Sequence, residues 1–371
     1  MNLIYAVYFG VIGVTLPTLG LAFHVGAGEQ GQFFVANFGG FIPGVALSGF
    51  LSDRFGRKPV ILIGMLLFIG ATLAFASAQS FALCLIAVPF IGAGSGAMLA
   101  VANALISDLY REKRSEILNF TQVMFGAGAA ISPYLANRLL EAGVSWRVIY
   151  TAIAVAVALL TAFFVFQKVP AMPSTGEPIR LGVLKTMLRN PHFRLLNLAQ
   201  FCYAGAEVAF FQWITTYLVQ MPGGASAKMT AVSLFWVCMT IGRIINGKLI
   251  RYYPRILLGA SLAMLGGLAQ MSVFFAKTPT FVLVSIALSG LFLSGIYTCI
   301  ISEVGDRFSH ASGTAFGAVG VVSGLGIALS TWIMGVISET SVGWTGAMLI
   351  PPTLAFGVAF CLWKINRREA Q

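Results

Sequence analysis

Twelve apolar segments of about 20 residues or more follow one another along the chain, separated mostly by short polar turns. As an α-helix, a segment of this length spans the roughly 30 Å hydrocarbon core of a bilayer. Transmembrane strands are shorter and alternate apolar with polar residues, which these segments do not. The sequence therefore predicts an all-α membrane protein. The predicted spans are 2–24, 31–52, 59–78, 81–106, 117–138, 147–168, 194–219, 229–250, 255–276, 280–304, 312–338 and 343–364.

Composition agrees with this prediction and argues against several classes of function. Only 9% of the residues are charged, against about 25% in a soluble domain. The net charge of +11 does not indicate nucleic-acid binding, because the basic residues fall in short loops on alternate sides of the spans. The five cysteines lie in apolar segments without C-x-x-C spacing, which is typical of buried thiols. We expect no metal, no cofactor and no enzymatic site.

The distribution of basic residues predicts the orientation. If both termini lie inside, eighteen of the 23 Lys and Arg residues are in inside loops and four are outside. Arg243 alone remains within a span. Positively charged residues favour the cytoplasmic side, so we expect a multi-pass protein of the cell (inner) membrane with both termini cytoplasmic. The first apolar segment is interpreted as a span and not as a signal peptide.

A polar, proline-containing stretch divides the chain into two halves. Residues 169–193 have the composition of a linker, so the predicted domains are 1–168 and 194–371, each with six spans. The halves resemble each other when the numbering is shifted by 198 residues, and this shift is called the repeat offset below. A constant offset indicates duplication of a six-helix bundle. The pairs that match at this offset are Tyr5 and Tyr203, Gly49 and Gly247, Gly128 and Gly326, Ser132 and Ser330, and Trp146 and Trp344.

One charged turn between the second and third spans is specific enough to indicate a family. The run Gly49-x-Leu51-x-Asp53-Arg54-x-Gly56-Arg57-Lys58 resembles the signature loop of the major facilitator superfamily. This resemblance implies two pseudo-symmetric six-helix bundles that move a solute by alternating access.

Further segments are similar to the sugar-transporting branch with fucose permeases and related glucose transporters. They are Ala102-Asn103, the run 118–126, the run 203–208 with Trp213 and Thr216-Tyr217, Phe235-Trp236 and Gly242-Arg243. The chain departs from fucose permeases in its first span, which has no acid, and at Leu99, where they have Glu. A His is common in the branch at the position of Gln122.

Two charged residues lie well inside spans. Glu207 is near the middle of the seventh span, where an intramembrane acid marks a pathway by default. It is a candidate for coupling H⁺ or Na⁺ or for accepting a substrate hydroxyl; a structural, protonated Glu is the alternative. Arg243 in the eighth span either pairs with Glu207 or extends its long side chain to the inner surface.

Amide and aromatic side chains within or near the spans suit a sugar, because an amide offers a donor and an acceptor to neighbouring hydroxyls. Interhelical hydrogen bonding is the structural alternative for the amides, and packing is the alternative for the aromatic rings. The candidate substrate-binding residues are Asn103, Gln122, Tyr203, Glu207, Gln212, Trp213 and Tyr297.

Charged residues at the inner ends of the spans are candidates for gating. Asp53 can pair with Arg57, with Arg111 or with the N-terminal end of the eleventh span. Charges after the fourth span recur after the tenth; ordinary solvated interface charges are the alternative. The candidate gating residues are Asp53, Arg54, Arg57, Asp108, Arg111, Glu303 and Arg307.

Together these observations predict a secondary transporter of a small polar solute, a sugar in the first place, coupled to H⁺ or Na⁺ and acting as a monomer in the bilayer. An exporter of drugs or amphipathic metabolites is one alternative, since 30 Phe residues offer an apolar lining. A membrane sensor or scaffold that signals without transport is the alternative from another class.

Overall fold

A computed structural model describes residues 1–110, 114–169, 181–250, 252–308 and 312–369. Within these ranges the regular secondary structure is helical, without a strand. The α-helices are α1 (Asn2–Phe23), α2 (Ala27–Phe55), α3 (Arg57–Ser77), α4 (Phe81–Leu109), α5 (Arg114–Glu141), α6 (Trp146–Val165), α7 (Leu181–Arg189), α8 (Pro191–Val219), α9 (Gly224–Leu249), α10 (Arg255–Ser272), α11 (Pro279–Leu293), α12 (Ile296–Arg307), α13 (Ser312–Ser338), α14 (Gly343–Ala347) and α15 (Ile350–Glu369).

The helices confirm the prediction of an all-α membrane protein. Ten helical stretches in the described part are long and apolar enough to cross a bilayer. The helix pairs α11–α12 and α14–α15 each make one such stretch, Pro279–Arg307 and Gly343–Arg367. Two more helices, α5 and α8, are 28 and 29 residues long, about 42 Å at 1.5 Å per residue. They bring the number to the twelve predicted spans.

The predicted linker contains a helix that the composition did not indicate. The short helix α7 lies within the stretch 169–193, and α8 begins at Pro191, three residues before the predicted span. Local sequence explains this start, because the Asn190 Oδ1 accepts from the backbone N–H groups of His192 and Phe193 and Pro191 occupies the first turn. Asn at the N-cap and Pro at the first helical position both favour a helix start.

The chain forms two compact units. Unit 1 comprises Met1–Gly26 and Gln32–Pro178, and unit 2 comprises Ala27–Gly31 and Ile179–Gln371. The first residues of α2 therefore pack with unit 2. There the Gly28 N–H donates to Glu339 Oε1 over 2.9 Å, which places a carboxylate at the positive end of a helix. The sequence-based division at residues 168 and 194 does not anticipate that the five residues Ala27–Gly31 belong to unit 2.

The repeat offset appears in each unit as the same helix contact. In unit 1, a Cβ on Gly128 would lie 2.6 Å from the Leu3 carbonyl oxygen, and in unit 2 a Cβ on Gly326 would meet the carbonyl oxygen of Phe201. Leu3 and Phe201 are themselves related by the repeat offset. Only glycine allows α5 to approach α1, and α13 to approach α8, this closely.

Candidate functional site

Helix α8 carries Glu207 into the interior of unit 2. The helix packs against α9, α13 and α15, and the small residues Ala204, Gly205 and Ala206 are buried next to the acid. Small residues let neighbouring helices approach closely, so the Glu207 side chain is only 8% exposed. A carboxylate at this position requires polar partners, since burial without them is costly.

Tyr203 is the direct partner of Glu207. The Tyr203 hydroxyl and the Glu207 side chain form a hydrogen bond, which the spacing of four residues along one helix face allows. The ring of Tyr203 lies 6.4 Å from the ring of Tyr297 on α12, centroid to centroid. Tyr297 is 46% exposed, so this polar cluster is accessible on one side. The acid, Tyr203, Tyr297 and Arg243 are called the Glu207 cluster below.

Arg243 contributes a positive charge to the cluster from α9. Its guanidinium interacts electrostatically with Glu207, Tyr203 and Tyr297, while its Nη2 lies 3.7 Å from Met239 Sδ. Among the described residues, Arg243 and Glu207 are not in ion-pair contact. The predicted direct pair of Glu207 and Arg243 therefore stays a prediction for another state of the protein, while the two charges already act on each other here.

Two glutamines that sequence reasoning missed support the cluster. Gln200 donates from Nε2 to Ser323 Oγ over 2.8 Å, and Gln270 donates from Nε2 to the carbonyl oxygen of Ala206 over 2.9 Å. Both are almost fully buried. The signal for Gln200 was present, because it lies seven residues before Glu207 and so on the same helix face. Gln270 lies on α10, and only the folded chain brings it to Ala206.

Gln212 and Trp213 lie further along α8 in the packed interior. Trp213 is fully buried, its Nε1 donates to the Thr331 carbonyl oxygen over 2.8 Å, and its ring lies 5.0 Å from that of Trp344. This places Trp213 in the packing of α8 against α13 and α14. A substrate-binding role for Gln212 and Trp213 stays a prediction.

The described interior of unit 1 contains hydrogen-bonded pairs of neutral polar groups. The Asn37 Nδ2 donates to the Tyr8 hydroxyl over 2.8 Å, and the hydroxyls of Thr15 and Tyr150 are 2.9 Å apart. These buried pairs link α1 to α2 and to α6, and sequence reasoning did not single out Asn37 or Thr15.

The two amides predicted as ligands in unit 1 lie on α4 and α5, apart from the hydrogen-bonded pairs on α1, α2 and α6. Asn103 is half-buried on α4. Gln122 is on α5, with its side chain outside the described residues. The structure leaves their binding role a prediction.

The signature loop holds the end of a neighbouring helix in unit 1. Lys58 Nζ donates to the carbonyl oxygens of Val165, the last residue of α6, and of Gln167, just beyond it, over 2.6 and 2.7 Å. Arg57 Nη1 donates to Ser52 Oγ over 2.8 Å. A lysine at a helix C-terminus satisfies free carbonyl groups and opposes the helix dipole.

Four of the predicted gating residues have described side chains. Arg54 is exposed, and its guanidinium lies over the ring of Phe55; Arg57 makes the bond to Ser52 given above. In unit 2, ion pairs join Glu303 with Arg307 and Arg255 with Asp306. Arg111 and the side chains of Asp53 and Asp108 lie outside the described residues. A gating role for all seven residues stays a prediction.

The Glu207 cluster brings an acid, a base and two phenols together within unit 2. In the described part of the chain there is no group of His, Cys, Asp and Glu residues able to hold a metal ion. A buried carboxylate next to a phenol hydroxyl and within the field of a guanidinium can accept a hydrogen bond from a hydroxyl or bind a proton or a monovalent cation. An intramembrane acid with such neighbours is a candidate for a transport pathway, and this role of Glu207 stays a prediction.

Twelve membrane-spanning helices, a duplicated six-helix plan and this buried polar cluster define a multi-pass membrane transporter. The model of the Major Facilitator Superfamily matches residues 1–331 and 231–371, so the chain belongs to that superfamily. The family resemblance of the signature loop is thereby confirmed. A transporter of this superfamily is embedded in a membrane and moves a small-molecule solute. It is not an enzyme.

Similar proteins agree with this assignment. The chain is 26% identical to Protein TsgA of Escherichia coli O6:K15:H31 (strain 536 / UPEC), over 97% of this chain and 92% of that protein. Among solved structures, the E. coli fucose:proton symporter FucP has a TM-score of 0.68 at 23% identity, covering 98% of this chain and 96% of that one. The D-xylose-proton symporter has a TM-score of 0.79 at 15% identity, covering 98% and 95%. At these identities the solved structures show the fold alone.

Proposed function

We propose that this protein is a secondary active transporter that moves a sugar across the cell (inner) membrane by alternating access, coupled to H⁺. The Glu207 cluster carries the proposal. It is a nearly buried carboxylate in a membrane-spanning helix, hydrogen-bonded by Tyr203 and within the field of Arg243. In this proposal protonation of Glu207 removes its charge and releases Arg243 from electrostatic attraction, which changes how α8 and α9 interact.

The sugar is proposed from side-chain chemistry together with the structural neighbours. Phenol, carboxylate and guanidinium groups of the cluster offer both donors and acceptors to vicinal hydroxyls, and Tyr297 presents an exposed ring beside them. Two of the neighbours are, by their names, proton symporters of fucose and of D-xylose. A third is the nucleoside transporter NupG, with a TM-score of 0.78 at 13% identity, covering 98% of both chains. Its named solute also contains a sugar.

The remaining features of the proposal follow from the charge pattern. The excess of Lys and Arg in one set of loops supports cytoplasmic termini, and six spans in each half support a monomer as the working unit. Sodium is the second candidate for the coupling ion, because the same carboxylate that binds a proton also binds a monovalent cation. The charged ends of the helices are proposed to gate access.

The proposal is tested with purified protein in liposomes. Counterflow of radiolabelled monosaccharides and nucleosides identifies the solute without requiring an ion gradient. Uptake of that solute is then driven by an inward proton gradient or by an inward sodium gradient. We expect a sugar to exchange, and we expect the proton gradient alone to drive its accumulation.

Two variants separate coupling from binding. Glu207→Gln should reduce proton-driven accumulation at least tenfold while retaining counterflow, because the amide keeps hydrogen bonding but no longer titrates. Glu141→Gln, the same change at the exposed end of α5, should leave both unchanged. Accumulation driven by a sodium gradient at constant pH would show that sodium, and not the proton, is the coupling ion. Absence of sugar counterflow, with exchange of lipophilic cations instead, would contradict the proposal that the solute is a sugar and would support an exporter.

A further inference from the structure

Unit 2 contains a lateral cavity of about 520 Å³ that the polar cluster does not use. It lies between α9 and α10, which both pack on α11, so that α11 forms the back wall. Leucine and isoleucine side chains make up most of the lining, including Ile245, Leu249, Leu257 and Leu291. The cavity is therefore suited to a hydrocarbon group.

The cavity reaches from the lipid-facing surface into the helix packing. Leu257 and Leu265 on its rim are exposed, whereas Leu262 and Asn246 on its wall are only 6% exposed. Along α9 it extends from Leu249 to Gly242, about 10 Å at 1.5 Å per residue. This length runs along the helix axis, so the cavity has room for an extended apolar chain.

The buried amide of Asn246 in the wall is turned toward the protein. Asn246 Nδ2 donates to Ser294 Oγ over 2.8 Å and contacts the Leu291 carbonyl oxygen at 3.4 Å. These bonds join α9 to the back wall, and a bound polar solute would have to compete with them. A ligand that fills the cavity with methylene groups leaves them intact, so an apolar chain is the better occupant than a sugar.

Residues at the mouth of the cavity match the headgroup of a phospholipid. Tyr253 lines the mouth, and Tyr252 beside it is 81% exposed; tyrosines favour the membrane interface. Lys248 is exposed in the last turn of α9, at the end of the helix where Leu249 and Tyr253 line the cavity. The nearby Arg255 is engaged by Asp306, and no described carboxylate is in ion-pair contact with Lys248. Its charge is therefore available to a phosphate.

We propose that this cavity binds one acyl chain of an anionic phospholipid, with the lipid phosphate at Lys248 and the chain between α9 and α10. The cavity is thus a structural lipid site, separate from the solute pathway. Burial of the chain provides binding through its apolar area, and Lys248 provides the preference for an anionic headgroup. This proposal does not depend on which solute is transported.

The test is native mass spectrometry of the protein purified in detergent and supplied with phosphatidylglycerol or phosphatidylcholine of the same acyl chains. We expect one phosphatidylglycerol to be retained about fivefold more strongly than phosphatidylcholine, the effect of one Lys at a lipid surface. Lys248→Gln should remove this preference. Lys277→Gln, an exposed lysine beyond the opposite end of α10, should keep it.

A second pair of variants tests the cavity itself. Ser261→Phe fills the lining and should reduce lipid retention at least fivefold, whereas Met264→Phe, exposed on α10 outside the lining, should not. Equal retention by all four variants and the unchanged protein would mean non-specific lipid and overturn the proposal. Thermal stabilisation by a lipophilic cation, lost in Ser261→Phe and not given by phosphatidylglycerol, would also overturn it and assign the cavity to an amphipathic solute.

Discussion

The two units share a scaffold but differ in the chemistry of their interiors. Gly128 in unit 1 and Gly326 in unit 2, a pair related by the repeat offset, make the same close approach to a backbone carbonyl. The polar groups between the helices are different. In unit 1 the described buried bonds of Tyr8 with Asn37 and of Thr15 with Tyr150 join neutral groups. In unit 2 the Glu207 cluster carries an acid and a base.

This difference separates what a duplicated bundle needs in order to fold from what it needs in order to couple transport. The glycine contacts repeat because the crossing of two helices is set by the backbone, and any change there alters the fold of either unit. Among the described residues the polar interiors differ, with neutral hydrogen-bonded pairs in unit 1 and an acid and a base in unit 2. Under the proposed proton coupling, unit 2 carries the ion-responsive group, and the described interior of unit 1 serves as the framework.

The largest effect is expected where the units are alike. Gly128→Ala and Gly326→Ala each place a Cβ against a backbone oxygen that cannot rotate away, so we expect each to cost about 2–3 kcal/mol, the upper range for overpacking. The loss should appear as a lower melting temperature of the purified protein and as reduced expression in the membrane.

Gly320→Ala is the matched control on the same helix α13, because nothing lies within 4 Å of the added Cβ. It should preserve stability or raise it by up to about 1 kcal/mol through helix propensity. If Gly326→Ala were as stable as Gly320→Ala, or if only one of Gly128→Ala and Gly326→Ala lost stability, the glycine contact would not contribute equally to the stability of the two units.

Sequence predicted the fold well because its determinants are periodic and local. Apolar length fixed the spans, and the repeat offset pointed to Gly128 and Gly326, which the structure joins to α1 and α8. The helix α7 was missed, since a nine-residue segment in a proline-containing stretch lacks a strong apolar signal. The transfer of Ala27–Gly31 to unit 2 depends on Glu339, which is 311 residues from Gly28.

The candidate site was only partly predictable from sequence. Glu207 and Arg243 stand out because charges inside spans are rare, and Tyr203 shares a helix face with Glu207. Rotation about a helix axis is set by packing, so the sequence could not show that Trp213 faces Trp344 or that Gln270 reaches the carbonyl of Ala206. Such contacts between helices require the folded chain.

A double-mutant cycle on Glu207→Gln and Arg243→Gln measures the electrostatic coupling that distinguishes unit 2. The charges interact without direct contact, so we expect a coupling free energy of about 1 kcal/mol, within the range for residues of one network. The single variant Arg243→Gln should be the less stable one, because it leaves the carboxylate without a compensating charge. Thermal unfolding of the four proteins provides the values.

Arg138→Gln on the exposed end of α5 is the control for this cycle. Paired with Glu207→Gln it should give a coupling energy of zero. A coupling of the same size as for Arg243 would show that the cycle reports a general effect of charge and not the cluster.

Two tyrosine variants compare the interiors directly. Tyr8→Phe removes the acceptor of Asn37, and we expect a loss of about 1 kcal/mol for one buried hydrogen bond with unchanged proton coupling. Tyr203→Phe should instead alter the pH dependence of uptake, because it removes the hydrogen-bond partner of Glu207. Tyr252→Phe at an exposed site is the control. Altered coupling in Tyr8→Phe would contradict the framework role of unit 1.

The smallest effect is expected at the signature loop, where the units differ at a helix end. Lys58 caps carbonyl groups at the end of α6, and its counterpart at the repeat offset is the buried Ile256, which has no charged group to offer. Because the cap is partly exposed, Lys58→Gln should cost less than about 1 kcal/mol, and Lys168→Gln nearby should cost nothing measurable. Hydrogen exchange at the last turn of α6 is the more sensitive readout, since loss of the cap should speed exchange there while leaving α1 unchanged. Faster exchange throughout unit 1 would instead make Lys58 part of the framework that the two units share.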